Sequence, residues 1–428
     1  MRDIYMSKKN TIINKNEFTD SLYLILFQGV NQLLPLIIMP YLMIKLGTYG
    51  YGHIGFSLSV IQYMVLIVDF GFNLSATKKI AVVGKDKIKR SKIFWATVMA
   101  KTILLTISTF IIFVLICSVG TFKQYSTAII ATYPMLIGST YTFMWLYQGI
   151  GKIRLFSILN TVSKISLLPL IFIYVHTPDD YAIAAFFQSM VFMFTAIISG
   201  IHIYYKKWIV RYKPTLNDIK NEISDSFPLF LSSASTSIYT QLTVVIIGFF
   251  CTTEAIGLYS SAERIMRAAC FVLYTPLNQI YFPKISALAS KNKTEATNMF
   301  KRAKIIIMSV MTLVCFTLLI CGKWAPVLLG SDYNGIDKYM TIFAFVPLAI
   351  GFGGVYGQMG LIALGNKYTT RSFRNTYFTA AIFSICATLT ITPIFYAYGA
   401  CFVTAATEII VALLMYYKYK KHMQLCSH

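Results

Sequence analysis

The chain has 428 residues, of which 57% are hydrophobic and only 13% charged, and its formal net charge is +22. Soluble domains carry about 25% charged residues, so this composition excludes water as the main solvent. It does not point to nucleic acid either, because nucleic-acid binders gather their basic residues on one folded face, whereas these lie in short loops between apolar runs.

A helix that crosses a bilayer needs about 20 mostly apolar residues. Such runs predict twelve transmembrane helices, at 21–45, 54–76, 94–119, 124–149, 155–175, 182–205, 228–251, 258–283, 304–329, 339–364, 377–395 and 399–417. The start MRDIYMSKKN is polar, and the first run is too long for the core of a cleavable signal, so it is expected to stay as the first span. Thirty Lys and Arg residues fall in the tails and the loops on one side, against two, Lys123 and Lys338, on the other. Basic loops stay in the cytoplasm, which predicts that both termini lie there.

The longest polar stretch between spans, KKWIVRYKPTLNDIKNEISDS at 206–226, lies near the middle of the chain. It reads as a cytoplasmic linker, 206–227, between an N-terminal six-helix lobe, 1–205, and a C-terminal one, 228–428. Weak internal symmetry supports that division. Leu46-Gly47-Thr48-Tyr49 is echoed by Ile256-Gly257-Leu258-Tyr259, and Lys152, Asn160 and Thr161 by Lys367, Asn375 and Thr376. Repeated bundles of this kind place a transporter's substrate site at their shared interface. The expected fold is therefore all-α, twelve helices in two lobes around a central cavity.

Prolines at 35, 40, 134, 169, 276 and 347 fall inside predicted spans. In lipid a helix break is tolerated where neighbouring helices or a wet cavity satisfy the freed carbonyl. The tenth span carries Gly351, Gly353, Gly354, Gly357 and Gly360, for which close helix contact is the simplest reading.

Charges within the spans are the functional candidates, since each costs on the order of 2.5–3.5 kcal/mol at the bilayer centre unless it faces a cavity or a partner. Lys45 and Lys323 lie near outer helix ends and can snorkel. Lys101 shares a polar stripe with Thr97 and Ser108, and Lys164 one with Ser157 and Thr161. Arg264 and Arg267 lie in the eighth span, on whose face Arg267 continues to Tyr274 and Asn278. Glu263, four residues before Arg267, offers it an intrahelical ion pair as an alternative to ligand contact. The seventh span adds Ser232, Thr236, Tyr239, Thr240 and Thr243, hydroxyls suited to sugars. Besides Glu263, the acids inside spans are Asp69 and Glu408, the candidates for a coupling ion. A helix-end hydrogen bond is the structural alternative for Asp69, and a partner such as Lys323 for Glu408. The interior is thus expected to be net positive and to favour an anionic cargo such as a phosphate or pyrophosphate.

The eight cysteines form no C-x-x-C pair and the five histidines are scattered, so no metal site or disulfide framework is implied. No G-x-x-x-x-G-K-[ST] loop is present and no cluster suits hydrolysis, so neither direct ATP drive, a cofactor nor enzyme chemistry is expected.

The segments PLIIMPYLMIKLGTYGYGHIGFS at 35–57 and VDFGFNLSATKKIA at 68–81 resemble the bacterial polysaccharide-repeat flippases, the Wzx type of the multidrug, oligosaccharidyl-lipid and polysaccharide exporter superfamily. WLYQGIGK at 145–152, IGLYSSAERI at 256–265, WAPVLLG at 324–330 and YGQMGLIALGNK at 356–367 extend the resemblance over all the predicted spans. It implies a carrier in the bacterial inner membrane that moves an undecaprenyl-pyrophosphate-linked glycan, such as an O-antigen unit, to the outer leaflet by alternating access. It also implies a polymerase and a chain-length regulator as partners, and a pyrophosphate-holding role for Lys101, Lys164, Arg264 and Arg267. The alternatives are a multidrug cation antiporter of the same superfamily, whose cavity should be rich in acids, and a membrane polymerase, which should carry large outer loops.

Overall fold

The structure is a computed structural model that describes residues 15–425, with side chains described except at 15–33, 232, 233, 235–240, 367 and 425. Among the described residues every regular element is helical. Seven helical stretches are long and apolar enough to cross a membrane, which makes the chain a multi-pass membrane protein.

The two longest stretches fold back on themselves. Helix α1, Lys15–Asp69, bends at Gly47, whose φ of 60° suits a residue without a Cβ. Pro35 and Gln62 line one cavity although a straight helix would hold them about 40 Å apart, so the two arms run side by side. The last helix, α16, Lys367–Leu425, bends at Tyr396. Lys418 on its second arm donates to Thr376 Oγ1 on the first at 2.8 Å, which closes a second hairpin.

Between these hairpins the helices follow the punctuation of the sequence. After a left-handed break at Phe70 and Gly71, α2 covers Phe72–Val83, and α3 covers Lys87–Ser118 under an Asp86 cap. The region of the fourth predicted span is four short helices: α4 Gly120–Gln124, α5 Ser126–Thr132, α6 Pro134–Tyr141 and α7 Met144–Gly149. Pro134 opens α6, where its missing N–H costs nothing. Pro169 divides α8, Ile153–Leu167, from α9, Leu170–Tyr174, and α10 follows at Tyr181–Tyr205. Long rods α11 Leu216–Phe250, α12 Thr253–Ala289 and α13 Lys293–Leu329 come next. The tenth region is broken into α14 Ile336–Phe343, α15 Val346–Gly354 and a π-helical stretch, Val355–Ala363. Its glycines admit neighbours closely, Gly351 against Met311 and Gly360 against Tyr419. Divided at the loops and the two bends, these helices accommodate the twelve expected spans.

The stretch predicted as a linker is strapped to the first half, and from Leu216 onward it forms the opening turns of α11. Arg90 donates to the Trp208 carbonyl at 2.8 Å, Lys92 pairs with Asp218 at 2.8 Å, and Lys79 with Glu222 and Asp225, each at 2.8 Å. The Lys92 hydrogen bond, aided by the Thr215 backbone N–H, holds the Asp218 carboxyl down at about 2.

The packed interior is shared at one end and at the other falls into separate cores that α11 bridges, with Phe70 stacked on Phe230 at 4.5 Å. Near the Gly47 bend one cluster joins both halves, with Leu46, Tyr51, Ile54 and Phe56 against Tyr259, Met266, Tyr333 and Phe343. Towards the termini the halves keep separate cores, one around Phe94, Trp145 and Tyr147, the other around Phe300, Met311 and Tyr356. At the shared end the second arm of α1 crosses α12 with backbone against backbone. A Cβ on Gly257 would meet the Thr48 carbonyl, and one on Gly52 the Thr253 carbonyl. Tyr333 donates to the carbonyls of Met43 and Gly47 at 3.1 and 3.2 Å, and the Tyr125 hydroxyl meets Thr253 Oγ1 at 2.9 Å. This end is sealed.

Gly257→Ala wedges a methyl group into that crossing, an overpacking cost of about 1–3 kcal/mol. Its thermal-unfolding midpoint in detergent is expected to fall, whereas Gly120→Ala, with nothing within 4 Å of the added Cβ, leaves the midpoint unchanged.

Candidate functional site

Directly beneath the seal lies a cavity of about 690 Å³. Helical spacing explains its lining. Ser260, Glu263, Arg264, Arg267 and Phe271 recur every three or four residues along α12 and so share one face, as do Tyr51, Gly55, Leu58, Ser59 and Gln62 on α1. Lys164 and Leu168, then Gln188 and Phe192, complete the first half's wall, and Gln241 and Val244 of α11 the second's.

Three of the four predicted cations meet here. Arg267 Nε donates to Glu263 Oε1 at 2.9 Å, the intrahelical pair that the spacing suggested. Arg264 reaches across to the other half. Its guanidinium carbon stands 5.3 Å from the centroid of the Tyr51 ring, and Nη1 donates to the Tyr51 hydroxyl at 3.2 Å. Lys164 lines the same cavity from α8, half-buried. Among the described residues Glu263 is the only acid in the lining, and three cations against one carboxylate make this wall net positive. Guanidinium forks recognise phosphate oxygens two at a time, and a low-dielectric wall strengthens that attraction. Gln62, Gln188, Gln241, Ser59 and Ser260 supply neutral donors and acceptors in the same space.

The fourth cation is elsewhere. Lys101 is 1% exposed and pairs with Asp69 at 2.8 Å, with the Ser139 carbonyl at 3.4 Å. It belongs to the face of α3 that carries Thr97, Ala100 and Ser108 into the first half's interior, away from the cavity. The same pair accounts for Asp69, which ends α1 immediately before the break. Glu408 is buried on the second arm of α16 and outside the cavity lining, its charge acting on Tyr377 and Cys270. Asn278 lies three turns beyond Arg267 on α12, past the end of the lining at Phe271, with its Oδ1 buried and unbonded. The side chains of Tyr239 and Thr240 lie outside the described residues, within α11. Lys45 and Lys323 are exposed, as snorkelling requires.

Tyr51 and the three glutamines were missed by a search for charge alone. Gln62, Gln188 and Gln241 could have been flagged as amides within apolar runs, which are costly in lipid unless satisfied. Tyr51 carries no such signal, because a tyrosine there reads equally well as packing.

Comparison with known proteins agrees with this architecture. Residues 18–289 match the model of a family described as polysaccharide biosynthesis proteins. A chain from Escherichia coli (strain K12) that bears the name of an O-antigen transporter is 30% identical over 405 residues, covering 92% of this chain and 94% of that one. A Shigella dysenteriae chain with the same name is 28% identical over 407 residues, covering 92% and 98%. Among solved structures, a lipid II flippase in an inward closed conformation superposes with a TM-score of 0.73 at 13% identity, covering 92% of this chain and 87% of that one. A multidrug transporter in its inward-facing conformation gives 0.70 at 14% identity, over 92% and 96%. The length and extent of these matches place the chain in the polysaccharide biosynthesis protein family.

Proposed function

We propose that this protein is a flippase that carries an undecaprenyl-pyrophosphate-linked oligosaccharide, of the O-antigen type, from the cytoplasmic to the outer leaflet of the bacterial inner membrane. The observation that carries the reading is the placement of Lys164, Arg264 and Arg267 on one cavity wall, between the halves of a chain in a polysaccharide biosynthesis family. The relatives named for O-antigen transport and the lipid II flippase of the same fold support it. A pyrophosphate cannot enter hydrocarbon unaided, since an unpaired buried charge is prohibitive. In the cavity its oxygens would replace Glu263 on Arg267 and engage Arg264 and Lys164, while the amides and hydroxyls take the sugars and the prenyl chain stays in lipid.

Alternating access follows from the two halves, taken as lobes 1–205 and 228–428 joined by 206–227. With both termini cytoplasmic, the sealed Gly47 end faces outward and the divided cores face the cytoplasm. The better superposition on an inward-facing than on an outward-facing multidrug transporter, 0.70 against 0.53, supports that assignment. An antiporter of cationic drugs would share the fold, but a wall with three cations and one paired carboxylate repels such cargo. Transport rather than catalysis is the activity proposed, with polymerase and chain-length regulator proteins as downstream partners.

Replacing Arg267, Arg264 or Lys164 by Ala removes a charge-assisted contact worth about 1.5–3 kcal/mol. In a deletion strain complemented with each variant, surface polysaccharide on immunoblots is expected to fall by roughly one to two powers of ten, with membrane-inserted protein at normal levels. Normal display in all three would remove the basis for a pyrophosphate site.

Asp69→Asn has a different signature. Breaking the pair strands Lys101 as a buried charge, a cost of about 3–5 kcal/mol. The amount of folded protein recovered from membranes should drop, while surface polysaccharide per folded molecule stays normal. A loss of transport at unchanged protein level would instead make Asp69 part of the transport cycle.

A further inference from the structure

One contact of the cavity wall crosses from half to half. Tyr51, on the second arm of α1, is 0% exposed, and part of its cover comes from the second half. The guanidinium of Arg264 stands over the ring and donates Nη1 to the hydroxyl. The Tyr333 hydroxyl comes close enough for the two phenols to act on each other electrostatically. By contrast, the bond from Arg267 to Glu263 lies within α12. The Arg264 contact also adjoins the backbone crossing. A Cβ on Gly52 would meet the Thr253 carbonyl, and one on Gly55 the Ser260 hydroxyl, one turn before Arg264. The helices cannot part at Gly52 and Gly55 without drawing Arg264 off Tyr51. Arg264 is thus a clamp between the halves and, being only partly buried, a cation of the cavity.

The two roles compete. A single hydrogen bond of 3.2 Å and a ring-face contact hold the guanidinium on Tyr51. Two phosphate oxygens engage the same planar fork through parallel charge-assisted bonds, each roughly twice as strong as a neutral one. An anion in the cavity therefore turns the fork away from Tyr51 and strands a buried hydroxyl, which is unfavourable. That penalty exists only while the seal is shut, because parting the helices uncovers Tyr51 to water. A ligand shifts an equilibrium by the difference between its affinities for the two states. Here the anion binds the sealed state at the expense of the Tyr51 contact and the parted state without that loss, so occupancy favours parting.

We propose that Tyr51 is a positioning residue that couples cargo to the seal. It holds Arg264 across the interface while the cavity is empty, and a pyrophosphate head group competes for the same guanidinium and unlatches the outer end. An empty carrier stays shut on that side and a loaded one opens. This rests on the reading of the cavity as an anion site beneath a sealed outer end.

The test uses the full chain in lipid nanodiscs, with inorganic pyrophosphate as the probe at matched ionic strength. Affinity is read by titration calorimetry, and the seal by hydrogen–deuterium exchange of peptides from 48–56 and 252–260, which span Gly52, Gly55 and Gly257. In the unaltered chain, saturating pyrophosphate is expected to speed exchange there several-fold. Tyr51→Phe keeps the ring and removes the hydroxyl. It should bind pyrophosphate several-fold more tightly, and the effect of the anion on exchange should largely vanish. Tyr125→Phe loosens the same seal at Thr253 without touching Arg264. It should exchange faster at rest and keep the effect of the anion, which separates coupling from a loss of packing. A seal indifferent to bound pyrophosphate in the unaltered chain, or an undiminished response in folded Tyr51→Phe, overturns the latch and leaves the anion site standing. A failure of pyrophosphate to bind the unaltered chain overturns both.

Discussion

Backbone meets backbone where the second arm of α1 crosses α12, and the rest of the structure is arranged around that contact. Glycine at 52, 55 and 257 is what permits it, because the space a Cβ would need is taken by the opposing helix. One turn further along, the same crossing sets Arg264 over Tyr51 and turns the Ser260–Phe271 face of α12 into a cavity wall. Seal and site are therefore parts of one helix pair. A change that separates the helices at Gly257 must also move the arginines, and that linkage is what an alternating carrier requires.

Lipid as solvent explains how the charges are distributed. Hydrocarbon offers a cation two tolerable situations, a partner or a polar cavity, and the chain uses both. Lys101 takes a partner in Asp69 and holds the first half together near the break after α1. Arg264, Arg267 and Lys164 take the cavity, where Glu263 and Tyr51 hold the arginines. Among the described residues of the lining one carboxylate stands with three cations, so the wall carries net positive charge. An anion entering the cavity finds charge to neutralise. At the linker Lys79, Lys92 and Arg90 strap 206–226 to the first half by ion pairs and a carbonyl contact, Lys79 reaching the buried Glu222.

Much of this was legible from residue order. Apolar length announces a spanning helix, proline and glycine mark where one breaks, and the three-to-four spacing of Ser260, Glu263, Arg264 and Arg267 puts them on one face whatever the tertiary fold. The Glu263–Arg267 pair was readable for the same reason, being local. Lys101 was not, because its polar stripe with Thr97 and Ser108 fits a wet cavity as well as a packed lobe. Its partner Asp69 is 32 residues away. Similarly, nothing about the order of residues around Tyr51 tells that Arg264 closes over it.

The sequence by itself determined that the chain lives in a membrane, which stretches are apolar enough to cross it and which helix faces are polar, because these follow from burial cost and helical period within single segments. Only the tertiary structure decided which polar faces meet. Lys164, Arg264 and Arg267 share a cavity, Lys101 is withdrawn from it, and Tyr51 lies under a guanidinium of the other half. Those outcomes depend on contacts between distant segments, set by how closely glycine-bearing helices can approach, and no local pattern encodes that distance.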